Sequence, residues 1–359
     1  MINVTKTYLP PKAEYDALLQ KVWDAAWITN NGPMVTQLES ELKNYLGVKN
    51  LLYVNNGTVA LQLALKALDL KGEVITTPFS YCATTTSIIW ENCQPVFADI
   101  EPISFNINAD LIESKITERT TGIMATHVYG RPCDVVKIEK IAQKHNLKVI
   151  YDAAHTFGST LNGESLLKFG DISTCSFHAT KLFHTVEGGA IVCNDDEIYR
   201  KLFLQRMFGH EGDDHYLAGI NGKSSEFHAA MGLCILPKME MLINRRIEIA
   251  ALYNQHLNFQ ILSKPENSLD GTFFNNAYYA VVFENEEQLL KIREVLKENG
   301  INIRRYFYPS LNKLPYLNTY DACPVSESIA NRVISLPTYF DLPKEDILRI
   351  CKLINDNLG

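Results

Sequence analysis

Long hydrophobic runs are absent: no uninterrupted apolar stretch of the 359 residues reaches the length of a membrane span. The polar start Met1-Ile2-Asn3-Val4-Thr5-Lys6 lacks a signal peptide's apolar core, so a cytoplasmic protein is expected, with no membrane partner. Basic runs are absent too. Lys and Arg number 34 against 41 Asp and Glu, a formal charge of −7, which argues against nucleic acid as a partner and makes a small molecule more plausible. The eight cysteines are scattered singly without a CxxC pair, which disfavours a disulfide framework or a zinc ribbon and favours reduced, packed thiols. The nine histidines show no HExxH spacing, and no metal is expected. What remains, 46% hydrophobic and 21% charged residues, is the composition of a soluble globular protein long enough for two domains.

Short apolar runs alternate with stretches of helical length through the first two hundred residues. The runs are 51–54, 73–77, 95–99, 122–127, 148–151, 172–176 and 190–193. Their near-continuous hydrophobicity predicts strands covered on both faces, joined by helices such as 59–68 and 136–145. After about residue 225 the rhythm changes to a long helix through 245–256, a strand at 277–283, and a helix at 286–299 with Asn285 as N-cap and Gly300 as stop. A strand at 301–308 and a closing helix at 343–357 complete the pattern. The expectation is an α/β fold: a large βαβ-type domain, 1–240, and a small α+β C-terminal domain, 241–359.

Three stretches carry possible chemistry. In Val54-Asn55-Asn56-Gly57-Thr58-Val59 a strand passes into a helix whose free N–H groups would receive an anion. Gly57 would allow close approach, and Thr58 would add a hydroxyl and cap the helix; an ordinary capped turn is the alternative. In Val149-Ile150-Tyr151-Asp152-Ala153-Ala154-His155 an acid and a histidine stand at the carboxyl end of a buried strand, where ligands of open α/β sheets gather. A protonated ring nitrogen would pair such an acid; a helix cap and a surface histidine are the alternative. In Ser176-Phe177-His178-Ala179-Thr180-Lys181 a lysine follows a buried strand. There desolvation and nearby positive charge would favour the neutral, nucleophilic amine, unless it is a solvated loop lysine. Phosphate turn, acid and lysine on one sheet edge form the set that pyridoxal phosphate requires, with Tyr81 available to stack on its ring.

These residues resemble the sugar aminotransferases of the DegT/DnrJ/EryC1/StrS type, within fold-type I. The resemblance covers the whole chain through Trp27-Ile28-Thr29-Asn30-Asn31-Gly32-Pro33, Asn56-Gly57-Thr58, Asp152-Ala153-Ala154-His155, Ser176-Phe177-His178 with Lys181, Glu187-Gly188-Gly189 and Ser335-Leu336-Pro337. It implies a large α/β/α domain with a mostly parallel seven-stranded sheet and pyridoxal 5'-phosphate as cofactor. Lys181 would hold that cofactor covalently and carry protons; Asp152 would pair with its pyridine nitrogen and His155 would approach its phenolic oxygen. Gly57, Thr58 and Ser176 would hold the phosphate, Tyr81 would stack, and Asn221 would reach the phosphate of a partner subunit in an obligate homodimer. His178, Lys223, Arg305 and Tyr308 are candidate substrate contacts. Where the family often has Tyr-Arg this chain has Gly222-Lys223, a change that alters bidentate reach.

The implied reaction takes nitrogen from L-glutamate and gives it to a nucleotide-linked ketosugar. The stretches Thr126–Asp134 and Phe177–His184 look most like enzymes that aminate C-4 of dTDP-4-keto-6-deoxyglucose. Amination at C-3 of a related keto sugar, or a GDP-linked substrate, are the rivals within the class. A binding protein without turnover, or another pyridoxal phosphate reaction, are the rivals outside it.

Overall fold

The computed structural model describes residues 1–267, 269–317 and 321–358. Seven strands form the central sheet: β1 Asn50–Val54, β2 Glu73–Thr76, β3 Gln94–Phe97, β4 Thr120–Thr126, β5 Lys148–Asp152, β6 Ile172–Ser176 and β7 Gly189–Cys193. Their order is β1-β7-β6-β5-β4-β2-β3; β7 runs antiparallel to both neighbours and the remaining pairings are parallel.

Alternation along each strand divides the core into two faces. On β1, Leu51 and Tyr53 pack with Leu38 and Leu42 of helix Pro33–Leu46 and with Ala229 and Leu233 of helix Glu226–Ile235. Leu52 and Val54 face the other way, toward Ala60, Leu61 and Ala64 of helix Gly57–Ala67. Burial on both faces explains why the strands read as unbroken apolar runs. Two of the connecting helices begin at side-chain caps. Asn56 accepts from Val59 N at 2.8 Å and Asp134 from Lys137 N at 3.0 Å.

A second core lies toward the C-terminus, where β8 Tyr279–Val282 pairs antiparallel with β9 Val333–Leu336. Helices Glu286–Glu298 and Lys344–Asn355 cover this ladder. The latter buries Ile347, Ile350, Cys351 and Ile354, one helical stripe, each isoleucine contributing roughly 1.5–3 kcal/mol. Asn285 caps the first helix through Gln288 N at 2.8 Å, and Gly300 follows it with φ 74°. Ile2 belongs to the same cluster, its N–H donating to Gly300 O at 2.8 Å. Helix Met239–His256 serves both cores, with Met239, Leu242 and Ile243 in the first and Ile249, Ala250 and Tyr253 in the second.

The expected strand at 301–308 does not form. Ile301 pairs with Ile2 and Arg304 with Ser335 only as single bridges. Beyond them Phe307 turns inward onto Phe79 and Tyr129, and Tyr129 donates its hydroxyl to Tyr306 O, so packing with the large unit replaces a strand ladder. Among the described residues no helix is long and apolar enough to cross a membrane.

Candidate active site

A cavity of about 250 Å³ opens at the carboxyl ends of the parallel strands. Asn56, Gly57 and Thr58, Ser80 and Tyr81, Asp152 and His155, Ser176, His178 and Lys181 line it, together with Glu187, Tyr278, Arg304, Tyr306 and Phe307. Eight expected site residues therefore share one cleft: Gly57, Thr58, Tyr81, Asp152, His155, Ser176, His178 and Lys181.

At one end lies the start of helix Gly57–Ala67. The cap is Asn56, not Thr58 as expected, and this leaves the exposed Thr58 hydroxyl available to a ligand. The N–H groups of Gly57 and Thr58, at the first two helical positions, have no acceptor within the helix. A Cβ on Gly57 would lie 2.8 Å from Ser176 Cβ, so only glycine lets the helix start meet the end of β6.

At the other end Asp152, the last residue of β5, is buried at 5% exposure. Its Oδ2 accepts from Thr84 Oγ1 at 2.7 Å and its Oδ1 from Ala154 N at 3.1 Å. Burial raises its pKa, while these two hydrogen bonds and the Lys181 charge oppose the rise. Behind Thr84 stand two more buried hydroxyls: Ser80 Oγ is 2.7 Å from Thr84 Oγ1, and Thr126 Oγ1 donates to Ser80 Oγ at 3.0 Å.

His155 lies between Tyr278, 4.6 Å away, and Phe307, stacked at 5.6 Å. Its Nδ1 accepts from Tyr129 N at 3.3 Å, which leaves the ring proton on Nε2. Burial, aided by the Lys181 charge, holds its pKa well below the usual value, so the ring is a neutral donor. Lys181 is placed by the loop after β6, with Nζ 3.1 Å from the Tyr278 hydroxyl. The expectation of a depressed lysine pKa is corrected here. Burial does pull it down, but Tyr278, Asp152 and Tyr306 more than offset that pull and hold it above the ordinary value.

The chain matches the DegT/DnrJ/EryC1/StrS aminotransferase family over residues 11–355. It is 40% identical to a dTDP-4-amino-4,6-dideoxy-D-glucose transaminase of Shigella dysenteriae, over 99% of this chain and 98% of the relative. To a GDP-perosamine synthase of Escherichia coli O157:H7 it is 33% identical, over 93% of this chain and 92% of the relative. The crystal structure of DesI in the presence of its TDP-sugar product superposes with a TM-score of 0.93 at 32% identity, covering 98% of this chain and 92% of that one. The chain belongs to the DegT/DnrJ/EryC1/StrS aminotransferase family.

The fold is that of a fold-type I aminotransferase and the cofactor is pyridoxal phosphate. The cleft of this aminotransferase fits it. Asp152 is a buried carboxylate facing the cavity, and among the described residues no cation stands within ion-pair distance of it; a protonated ring nitrogen would supply the missing partner. The helix start beside Ser176 suits a phosphate, and Lys181 lies in the same cavity as both. Tyr81, half exposed at 51%, presents a ring at the opening.

Four expected residues do not line this cavity. Arg305 instead binds Glu286 at 2.8 Å and Asn331 O at 2.9 Å and lies 3.5 Å from the centre of the Tyr308 ring, which keeps both side chains occupied with each other. Arg304 lines the cleft in its place, its guanidinium 4.5 Å from the Tyr306 ring centre. Asn221 bridges Met207 and is exposed, while Lys223 lies over the Phe208 ring, its pKa lowered by burial and by Arg206. His178 stands at the mouth, with Nδ1 2.8 Å from Thr180 Oγ1 and Nε2 3.5 Å from Glu187 Oε1. Tyr278, Thr84, Arg304 and Tyr306 were not identified from sequence. Thr84 stands within Pro78–Thr84, singled out for Tyr81, and Arg304 and Tyr306 stand within 301–308, which supplies the expected Arg305 and Tyr308.

Proposed function

We propose that this enzyme transfers the amino group of L-glutamate to the C-4 keto group of dTDP-4-keto-6-deoxyglucose, yielding dTDP-4-amino-4,6-dideoxyglucose. The observation that carries the reading is the 40% identity to the Shigella transaminase across nearly the whole of both chains. A GDP-linked 4-keto sugar is the second reading, favoured by the 33% identity to GDP-perosamine synthase.

When bound, pyridoxal phosphate supplies a carbonyl carbon that carries nitrogen and a ring that withdraws electrons from the substrate carbon. Lys181 would hold it covalently, and its amine, once displaced from that bond by the donor's amine, would take the proton from the donor's carbon and deliver one to the acceptor's. Asp152 would keep the ring nitrogen protonated, and His155 would donate from Nε2 to the phenolic oxygen. Gly57, Thr58 and Ser176 bind the phosphate while Tyr81 covers the ring. Arg304 takes an anionic group of donor or acceptor, in place of Arg305 and Tyr308, and His178 contacts the sugar at the mouth.

The single-chain cavity, about 250 Å³, falls below the roughly 300–1,000 Å³ usual for ligand sites, which supports completion by a second subunit. We assign Asn221 and Lys223 to the partner's cofactor phosphate and substrate in a homodimer. Exposed Trp23, Trp27, Phe208 and Ile220 support such an interface. Residues 1–240 would form the cofactor-binding unit and 241–359 the C-terminal unit. The setting proposed is cytoplasmic, in biosynthesis of a surface polysaccharide such as O-antigen.

The test is the visible absorption of the purified holoenzyme. L-Glutamate is expected to bleach the cofactor band and dTDP-4-keto-6-deoxyglucose to restore it, with product mass and NMR fixing C-4. Restoration by the GDP-linked sugar alone would favour the second reading, and by neither would remove both acceptors.

A further inference from the structure

The buried hydroxyls behind Asp152 form a line whose direction is fixed by valence. A threonine hydroxyl has one hydrogen, and that of Thr84 goes to Asp152 Oδ2. In the contact between Ser80 and Thr84 the donor must therefore be Ser80, and Thr126 donates to Ser80 in turn. All three protons point toward the carboxylate. The three residues are at most 2% exposed, so water does not compete for these bonds. They come from separate places: the loop after β2, helix Cys82–Trp90, and the end of β4, where Thr126 stands in register with Asp152. A proton on Oδ2 would have to displace that of Thr84. Reversing the line would leave the Thr126 hydrogen without an acceptor among the described residues. Donation to a carboxylate favours its ionised form, and successive hydroxyls polarise one another.

We propose that Thr84, backed by Ser80 and Thr126, is a positioning residue that fixes Asp152 as an anion aimed at the ring nitrogen of the cofactor. The inference rests on the pairing of Asp152 with that nitrogen. It adds that the strength of the pair is set by hydroxyls that never touch the cofactor. Thr84 differs from a packing residue in one respect: its contribution depends on the nitrogen being there.

The experiment compares the affinity of reconstituted enzyme for pyridoxal phosphate and for 1-deazapyridoxal phosphate, in which carbon replaces the ring nitrogen. Thr84→Val is expected to raise the Kd of pyridoxal phosphate about tenfold or more while leaving that of the carbon analogue unchanged or improved, as loss of a hydrogen bond to a charged group implies. Thr84→Ser should restore wild-type affinity, and Ser80→Ala and Thr126→Val should give smaller losses with the same selectivity. Equal weakening of both cofactors by Thr84→Val, or no change in either, overturns the proposal. Should Thr84→Val fail to fold, the same ratio in Ser80→Ala decides. Asp152→Asn separates the two levels. If it weakens both cofactors alike, the ring-nitrogen pairing itself fails and the inference with it; if it is selective and Thr84→Val is not, the hydroxyl line alone is refuted.

Discussion

The wall of the cleft supplied by the large unit takes Asp152 and Ser176 from the last positions of β5 and β6 and Gly57 from a helix start. The facing wall takes Tyr278, Arg304, Tyr306 and Phe307 from a strand edge and an irregular segment. The first wall is held by ladder hydrogen bonds, caps and two buried faces. The second is held by ring contacts, such as Phe307 against Phe79 and Tyr129, and by single bridges. The carboxylate and the phosphate-side groups thus stand at the ends of regular elements, Lys181 and His155 on the short loops that follow β6 and β5, and the facing groups on or beside aperiodic chain.

The largest effect is expected at the fixed wall. Lys181→Ala should lower transfer by more than about 10⁴-fold, measured as aminated sugar formed per enzyme; retained turnover would dissolve the division between the walls. At the variable wall, Arg304→Gln should raise KM for the anionic substrate by about ten- to hundredfold with a smaller change in kcat. Arg305→Gln should leave KM within about twofold and lower the melting temperature instead, since Arg305 serves Glu286 and Asn331. The reverse ranking would show that the cleft is bounded by the wrong arginine.

Tyr278→Phe probes the contact between the walls. The hydroxyl raises the Lys181 pKa, so its loss should shift the pH midpoint for acylation of this amine in cofactor-free protein to lower pH, and reduce kcat by about three- to tenfold. The smallest effect concerns stability. The folded pKa of Asp152 is raised by burial, so the folded state binds the proton more tightly than the unfolded one. Its contribution therefore becomes unfavourable as pH climbs through the unfolded carboxyl value, near 3.9, and stays so above the folded one. Cofactor-free Asp152→Asn should melt higher than wild type at pH 7, by on the order of 2 °C, with the difference shrinking toward pH 3.

Legibility in the sequence followed the same division. Asp152, His155 and Ser176 could be placed because a buried strand announces its own carboxyl end, and the seven main strands were legible from their apolar runs. The expected strand at 301–308 failed because its course is set by packing against Phe79 and Tyr129, far away in sequence, and the same packing brings Arg304, which the sequence did not single out, to the cleft where Arg305 was expected. The lysine pKa was illegible for a related reason. Its main opposing partner, Tyr278, lies 97 residues away, and burial alone gave the wrong sign. Hydroxyl spacing in Pro78–Thr84 carries no sign that Thr84 meets Asp152 or that Ser80 meets Thr126, since that depends on how helix Cys82–Trp90 and the loop before it meet β4 and β5.

Ile2 sits in the same cluster as Ile354 and Leu358. A ribosome releases Ile2 early, long before its neighbours exist, and the large sheet can assemble while that residue waits unhoused. The C-terminal core thus cannot close around both Ile2 and Ile354 until every strand of the sheet between them has been made.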